Sequence, residues 1–228
     1  MTHVSGWRVV VPVKGGEEAK TRLALPRRQE LALAMALDCL AVCRRTPGVG
    51  LVVCVSDDPV VLRAVRAAGV GTVSAGRPGL GAAVAAGLAS LERGPTAVLL
   101  GDLPALRSRD LAAALARART VPGPALVTDA AGSGSVLLTD PDGDLPHRFG
   151  PDSARRHVEA GAVVLRDPLP SLRRDVDTVA DLRSALALGV GPHTRAALAH
   201  DLPGLPGLPA VPDVPALDLP AGCAGHAR

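Results

Sequence analysis

The chain has 228 residues, enough for one α/β domain of ordinary size, and 47% of them are hydrophobic. The formal net charge is only +3, its charges are interspersed, and there is one Trp, one Phe and no Tyr. This composition argues against a polyanion-binding surface and against base stacking on single-stranded nucleic acid. No apolar segment reaches the roughly 20 residues of a membrane span, and no secretory signal precedes the first apolar run.

Short β-rich runs alternate with Ala/Leu/Arg segments of helical period along the chain. The predicted strands cover residues 7–13, 50–56, 69–74, 95–100, 123–129, 135–140 and 162–167. The predicted helices cover residues 27–45, 59–68, 79–93, 109–119, 152–161 and 178–188. This order indicates a doubly wound α/β fold, in which ligands bind at the carboxyl ends of the strands.

Several local signals refine these boundaries. Ser56 or Asp57 is expected to cap the second helix, and Ser108 the fourth. From about Asp201 onward Pro recurs every few residues with no helical or strand period. We therefore expect a domain over residues 1–201 and a mobile, Pro-rich tail over residues 202–228.

The four cysteines show no zinc-like spacing, which favours a reduced, cytoplasmic protein. Cys39 and Cys43 are four residues apart and share a helix face, where a metal site is conceivable. Burial as small apolar side chains is the favoured interpretation, since free cysteine is among the most buried residue types. The remaining two are Cys54 and Cys223.

A loop rich in cations and glycine follows the first predicted strand. It reads KGGEEAKTRLALP and contains Lys14, Lys20 and Arg22. Backbone N–H groups and cationic side chains of such a loop can together surround a polyphosphate. The Walker spacing is missing and no G-x-G-x-x-G follows a strand, so a solvated basic turn is the alternative.

Three aspartates stand where a metal site could form. Asp102 follows the fourth predicted strand after one glycine, and Asp175 and Asp177 precede the last predicted helix. If the latter two are extended, the period of two sends both carboxylates to one face. Together they would suit Mg²⁺, a hard cation with oxygen ligands, although solvated turn acids remain the alternative. Asp181 instead pairs with Thr178 in the spacing of a capping box.

Two further segments offer groups for an anion. The glycine-rich segment 129–138 contains Ser133 and Ser135, and the segment RFGPDSARRH contains the Gly150 turn and then Ser153 at a predicted helix start. Turn and cap chemistry is the simpler explanation for any one serine. His157 lies one helical turn after Ser153, and a surface or supporting role is favoured over a catalytic one.

In order and spacing, the motifs VPVK…AKTRL, GDLPAL, DAAGSGSVLL, FGPDSARRH and DVDTVADLRSALALGVG resemble those of the 2-phospho-L-lactate guanylyltransferase family. That family includes the phosphoenolpyruvate guanylyltransferases of coenzyme F420 biosynthesis, and the resemblance covers residues 7–195. It implies a single-domain nucleotidyltransferase fold, Rossmann-like and glycosyltransferase-A-like, with a mixed, mainly parallel sheet flanked by helices.

The resemblance also implies a reaction and its residues. GTP would react with the phosphate of phosphoenolpyruvate or 2-phospho-L-lactate, releasing pyrophosphate, and the next enzyme of the pathway could draw off the product. Two Mg²⁺ ions would be held by Asp102, Asp175 and Asp177. The acceptor phosphate would be held by Ser135, Gly150 and Ser153. Our own hypothesis, from charge, is that Lys14, Lys20 and Arg22 hold the triphosphate and stabilise the leaving group.

The chain departs from the family pattern at two places. Relatives commonly carry Asn where this chain has Gly81, and often Thr where it has Ser133 and Ser135. The rival interpretations are a nucleotidyltransferase for a molybdenum cofactor or a sugar phosphate, a glycosyltransferase using the D-x-D letters, and a non-catalytic nucleotide-binding protein. The missing GGxGxR loop counts against the first of these.

Overall fold

The computed structural model describes residues 6–16, 20, 22–23, 25 and 27–201. The predicted Pro-rich tail, residues 202–228, lies outside the described residues, as does Cys223. Within the described residues there are seven strands: β1 Trp7–Pro12, β2 Val49–Ser56, β3 Gly71–Ser74, β4 Thr96–Leu99, β5 Ala125–Thr128, β6 Ser135–Asp140 and β7 Val163–Val164. The same residues form seven helices: α1 Arg28–Arg45, α2 Pro59–Ala67, α3 Leu80–Ala89, α4 Ser108–Ala118, α5 Ser153–Glu159, α6 Val179–Leu188 and α7 Pro192–Asp201.

The strands form one mixed sheet in the order β3-β2-β1-β4-β6-β5-β7. The pairs β1–β2, β1–β4, β2–β3 and β5–β7 are parallel, whereas β6 runs antiparallel to both of its neighbours. The carboxyl ends of β1 to β4 therefore lie at the same edge as the start of β6. This arrangement confirms the mixed, mainly parallel sheet implied by the family resemblance.

The core lies on both faces of the sheet because the strands in its middle are buried throughout. All six residues of β1 are buried. Val9 and Val11 pack on one face with residues of α1, α2 and α4, and Val10 packs on the other face with Val84 of α3 and Ala154 of α5. The alternation of β1 side chains thus anchors helices on both sides.

A third apolar cluster supports the edge where the first four strands end. It joins Leu23 and Leu25, Met35 of α1, Val176, and residues of α6 and α7. Cys39, Cys43 and Cys54 are buried thiols, as predicted for the first two, and burial raises the pKa of Cys54 to about 12. No helix in the described part of the chain is long and apolar enough to cross a membrane.

Several boundary predictions were wrong. Asp58, rather than Ser56 or Asp57, caps α2 by accepting hydrogen bonds from the N–H groups of Val60 and Val61. Ser108 is the first residue of α4 and makes no cap hydrogen bond. The predicted strand 162–167 shortens to Val163–Val164.

Helix α7 was not predicted. Its first two free N–H groups, those of His193 and Thr194, donate to the buried carboxylate of Asp38 at 3.0 and 2.8 Å. Burial raises the pKa of Asp38, and the hydrogen bonds from the helix oppose that rise. The capping residue belongs to α1, more than 150 positions away in the chain, so no local sequence pattern could predict it.

Candidate functional site

A cleft of about 890 Å³ opens at the carboxyl ends of β1, β2, β3 and β4. The segments that follow these four strands line it, and Asp175 and Asp177 close one side. The predicted loop cations Lys14, Lys20 and Arg22 all line this cleft, and so does Asp102. The structure therefore brings six of the predicted site residues into one cavity, which we call the acidic cleft.

Lys20 joins two of the three predicted aspartates. Its ammonium donates to Asp102 Oδ2 at 2.5 Å and to Asp177 Oδ1 at 2.8 Å. Burial alone would lower the pKa of Lys20, but the charges of Asp102 and Asp177 outweigh it and the pKa is raised. The lysine therefore stays charged and bridges two carboxylates that come from distant parts of the chain, offsetting one of their two negative charges.

Val176 explains how Asp175 and Asp177 both reach the cleft. The Val176 side chain is fully buried in the third apolar cluster, and its N–H donates to the carbonyl oxygen of Asp102 at 3.1 Å. With the central residue held in the core, the carboxylates on either side are available to the cleft. Asp102 and the Asp175–Asp177 segment are thus joined through the backbone as well as through Lys20.

Asp175 has the most perturbed carboxyl of the cleft. Burial, followed by the negative charges of Asp102, Asp129 and Asp177, raises the pKa of Asp175 to about 7. A carboxylate in such surroundings gains from any cation that approaches it. Within the described residues no three His, Cys, Asp or Glu side chains converge into a metal-binding group, and the Lys20 ammonium lies between Asp102 and Asp177 instead.

Asp181 has the role predicted for it. Thr178 Oγ1 accepts from the N–H of Asp181 at 3.2 Å, and Asp181 Oδ2 accepts from the N–H of Thr178 at 2.9 Å, which completes the capping box of α6. Asp181 Oδ2 also accepts a weaker bond from the N–H of Asp177 at 3.3 Å. The helix start thereby holds the preceding aspartate in place.

Two positions of the first loop require glycine, Gly15 because a side chain would not fit and Gly16 because of its backbone conformation. A Cβ at Gly15 would collide with the side chain of Asp58, and Gly16 has a positive φ of 67°. Any side chain at the first position would displace the α2 cap. The loop can therefore pass close to the segment after β2, and both then line the cleft.

The predicted acceptor-binding residues form a separate, mostly buried group. Ser135 Oγ lies 2.9 Å from His157 Nδ1, and the N–H of Ser135 donates to Ser153 Oγ at 2.9 Å. The N–H of Arg148 donates to His157 Nε2 at 2.7 Å. Ser135, Ser153 and His157 are 1%, 3% and 0% exposed. We call these three side chains, with the Arg148 amide, the serine–histidine network.

This network adjoins the acidic cleft without lining it. The glycine-rich segment before Ser135 is held by Asp129, which accepts from the N–H groups of Ser133 and Gly134 at 3.0 and 2.8 Å. The negative charge of Asp129 also helps to raise the pKa of Asp175. Gly150, with a φ of 124°, packs against the Arg156 guanidinium on the α5 side.

Sequence reasoning missed three residues that organise this region. Asp58 lines the cleft and caps α2. Arg173 donates to Thr128 Oγ1 at 2.6 Å and to the carbonyl oxygen of Asp129 at 3.2 Å, tying the acidic segment to the end of β5. Asp129 directly follows a strand, and that position is a signal from which its place at the site could have been predicted.

Comparison with known proteins gives a consistent picture. The model of a family described as "Guanylyl transferase CofC like" matches residues 7–199. A Salinispora arenicola protein named phosphoenolpyruvate guanylyltransferase is 48% identical over 202 residues, covering 85% of this chain and 93% of the relative. A Geodermatophilus obscurus protein of the same name is 45% identical over 209 residues, covering 87% and 96%.

The fold has solved counterparts. A nucleotidyl transferase from Methanothermobacter thermautotroptrophicus superposes with a TM-score of 0.55 at 17% identity, covering 80% of this chain and 97% of that one. At this identity the likeness concerns the fold alone, and it confirms the single-domain nucleotidyltransferase architecture. With its match over residues 7–199 and relatives near half identity, the chain belongs to the CofC-like guanylyl transferase family.

Proposed function

We infer that this protein is a guanylyltransferase that transfers GMP from GTP to the phosphate of phosphoenolpyruvate or 2-phospho-L-lactate and releases pyrophosphate. The observation that carries this inference is family membership over nearly the whole described domain. The acidic cleft supports it, because a charged cavity at the ends of parallel strands suits a nucleoside triphosphate. We place the reaction in coenzyme F420 biosynthesis, where the next enzyme would consume the product.

The acidic cleft fits the magnesium ions that such a reaction uses. Asp102 Oδ1 is buried and has no hydrogen-bond partner among the described residues, and Asp175 lies in a field that a cation would relieve. Carboxylate oxygens are the ligands that Mg²⁺ prefers. We propose that Asp102, Asp175 and Asp177 hold Mg²⁺, with two ions as the expected number. When bound, the ions would offset the negative charge of the reacting phosphates.

The cations of the first loop would hold the triphosphate. Lys14, Lys20 and Arg22 line the cleft beside the glycine pair. Lys20 is paired with Asp102 and Asp177. When Mg²⁺ occupies these carboxylates, the ammonium would be released to pair with a phosphate. Positive charge at this point would stabilise the pyrophosphate as it leaves.

The chemistry needs no general base. An oxygen of the acceptor phosphate forms a bond to the α-phosphorus of GTP, while the bond from that phosphorus to the bridging oxygen breaks and its electron pair leaves with pyrophosphate. The nucleophile is already an anion, so the main barrier is repulsion between two anions. The protein lowers that barrier by holding both reactants in line and surrounding them with positive charge.

The acceptor acid would be held at the other end of the site by Ser135, Gly150 and Ser153. Both serines belong to the serine–histidine network, and β6 brings Ser135 to the edge where β4 ends. The N–H of Leu100 donates to the carbonyl oxygen of Val136 at 2.9 Å, which joins the two segments directly. This arrangement supports a nucleotide in the cleft and an acceptor at its border.

The nucleotide side departs from relatives at Gly81, in the first turn of α3. A Cβ built there meets no atom within 4 Å, and the neighbouring Gly79 and Leu80 line the cleft. The position therefore has room for the Asn of relatives.

One assay tests the proposed function. The protein is incubated with Mg²⁺ and each of the four nucleoside triphosphates, together with phosphoenolpyruvate, 2-phospholactate, 3-phosphoglycerate or a panel of sugar phosphates, and pyrophosphate release is measured. We expect turnover with GTP and a phosphorylated three-carbon acid. The assay is coupled to the next enzyme of the pathway, so that consumption of the product draws the reaction forward.

Each alternative has its own outcome. Turnover only with a sugar phosphate would reject the proposed function in favour of another nucleotidyltransferase. Absence of turnover with every pair would favour a nucleotide-binding protein without catalysis.

A further inference from the structure

The hydrogen bonds around His157 determine which of its ring nitrogens carries the proton. The N–H of Arg148 is a donor and has no alternative role, so His157 Nε2 at 2.7 Å must accept from it. A neutral imidazole has one N–H, which is then on Nδ1. The ring is fully buried between β6 and the 148–150 turn, and Phe149 contacts its face edge-on at a centroid distance of 5.0 Å.

The surroundings of the ring favour its neutral form. Burial, followed by the positive charge of Arg156 and smaller effects of His147 and Arg148, lowers the pKa of His157 to about 4. At neutral pH the ring therefore carries a single proton. This agrees with the hydrogen-bond geometry, in which one nitrogen must accept.

The tautomer of His157 dictates the role of Ser135. With its proton on Nδ1, the histidine donates to Ser135 Oγ over 2.9 Å, so the serine oxygen is an acceptor in that bond. The serine's own hydroxyl proton cannot point to the ring and must go to another acceptor. Ser135 is 1% exposed, so bulk water is not freely available to serve as that acceptor.

Ser153 is oriented in the same way. Its Oγ accepts from the N–H of Ser135 at 2.9 Å, which leaves its hydroxyl proton to be donated elsewhere. Two neighbouring hydroxyls thus each accept one hydrogen bond from the protein, and each keeps one proton to donate. A phosphate group, which has only acceptor oxygens at its ionised positions, matches such a pair.

We propose that His157 is a positioning residue that fixes the Ser135 hydroxyl as a hydrogen-bond donor to the phosphate of the acceptor acid. This inference rests on the proposed function, because it takes Ser135 as a residue that binds the acceptor. His157 touches neither substrate. It acts by removing the choice between donor and acceptor that a serine hydroxyl otherwise has.

A matched pair of substitutions distinguishes the hydrogen bond made by His157 Nδ1 from the one made by Nε2. In His157→Asn the side-chain amide nitrogen reaches about as far as Nδ1 and can still donate to Ser135 Oγ. In His157→Gln the side-chain oxygen reaches about as far as Nε2 and can still accept from the Arg148 N–H, but the donor to Ser135 is lost. Both variants leave a polar group in the same buried space, which makes each the control for the other.

The kinetic expectation follows from which bond survives. His157→Gln should raise the KM for the three-carbon acid about tenfold, the effect of one lost hydrogen bond, with kcat and the KM for GTP unchanged. His157→Asn should keep that KM within about twofold of wild type. Equal changes of KM in the two variants, or no change in either, would overturn the proposal. Thermal melts of both variants verify that they are folded.

A second measurement reads the tautomer without any turnover. Nitrogen-15 NMR of the full chain at neutral pH should show His157 with its proton on Nδ1, its signals being those absent from the His157→Gln spectrum. A proton on Nε2 would overturn the proposal.

Failure of the proposed function and failure of this inference give different results. A wild-type protein without turnover on GTP and any three-carbon acid overturns both together. Normal wild-type turnover with no difference between Gln and Asn overturns this inference alone.

Discussion

The acidic cleft and the serine–histidine network meet at one edge of the sheet, yet their charges are arranged in opposite ways. In the cleft, the Lys20 ammonium pairs with Asp102 and Asp177, Asp102 retains a buried oxygen that no described residue hydrogen-bonds, and Asp175 has a raised pKa. In the network, the imidazole is neutral and both of its nitrogens are hydrogen-bonded. The cleft has carboxylate oxygens that a cation would satisfy, whereas the network already holds its ring in one orientation and has only hydroxyl protons left to donate.

Under the proposed function, this difference lets one fold bind two anions side by side. The nucleotide end would use bound cations to offset the larger charge, and the excess carboxylate would attract them. The acceptor end would rely on hydrogen-bond direction, supplied by hydroxyls that a neutral ring holds. The following predictions test this contrast.

The largest effect should come from removing a carboxylate from the cleft. Asp102→Asn and Asp177→Asn should each lower turnover at saturating Mg²⁺ by on the order of 10²-fold or more, because charge in the transition state is no longer offset. The matched control is Asp144→Asn, at an exposed position. Near-full activity in both cleft variants would show that the metal assignment is wrong.

A smaller effect is expected for the cation that bridges the aspartates. Lys20→Gln should lower turnover by about 10-fold to 10²-fold through loss of charge near the leaving group. It should also lower the Mg²⁺ concentration needed for half-maximal activity, because the ammonium no longer competes for Asp102 and Asp177. A magnesium titration of both proteins measures this, and an increased requirement would contradict the bridging role.

The raised pKa of Asp175 predicts a stability difference in the absence of metal. The pKa of Asp175 is about 7 in the folded state, and its ordinary value is 3.8. Its contribution to the free energy of unfolding is therefore full below pH 3.8 and is lost as the pH rises through 7. Asp175→Asn should therefore become progressively more stable than wild type between pH 4 and pH 8. Thermal melts with a chelator test this, and a variant less stable than wild type at pH 8 would refute it.

The smallest effect is expected from the network, with the opposite sign. The pKa of His157 is lowered from 6.5 to about 4 in the folded state. Its contribution to the free energy of unfolding is therefore full above pH 6.5 and is lost as the pH falls toward 4. Arg156, His147 and Arg148 are the charged or titratable groups that lower it. Wild type should thus lose melting temperature faster than His157→Gln on acidification, and parallel curves would argue against a buried neutral ring.

Local chemistry in the sequence was sufficient for several features. The Thr178–Asp181 spacing predicted the capping box, and the helical period placed Cys39 and Cys43 in the core. The position of Asp102 just beyond an apolar run predicted its place at the sheet edge. The helical period placed the two cysteines on one face, and the usual burial of free cysteine predicted their place in the core. The other two features depend on neighbours within a few residues, where spacing carries the information.

Other features needed the assembled chain. Nothing near Lys20 indicates that it pairs with Asp102 and Asp177, which are 82 and 157 positions away. The cap of α7 comes from Asp38, and the antiparallel insertion of β6 between β4 and β5 brings Ser135 to the cleft border. The proton on His157 Nδ1 depends on a backbone amide from another segment.

The sequence alone predicts the alternation of strands and helices, the loop cations, the three aspartates and the helix cap, because periodicity and cap spacing are short-range properties. Which charges meet, and which side chain pairs with which backbone N–H, depends on the assembled chain. Coulomb energy and hydrogen-bond direction depend on distances of a few ångströms between segments that are remote in the chain. Those distances exist only after the apolar faces have packed.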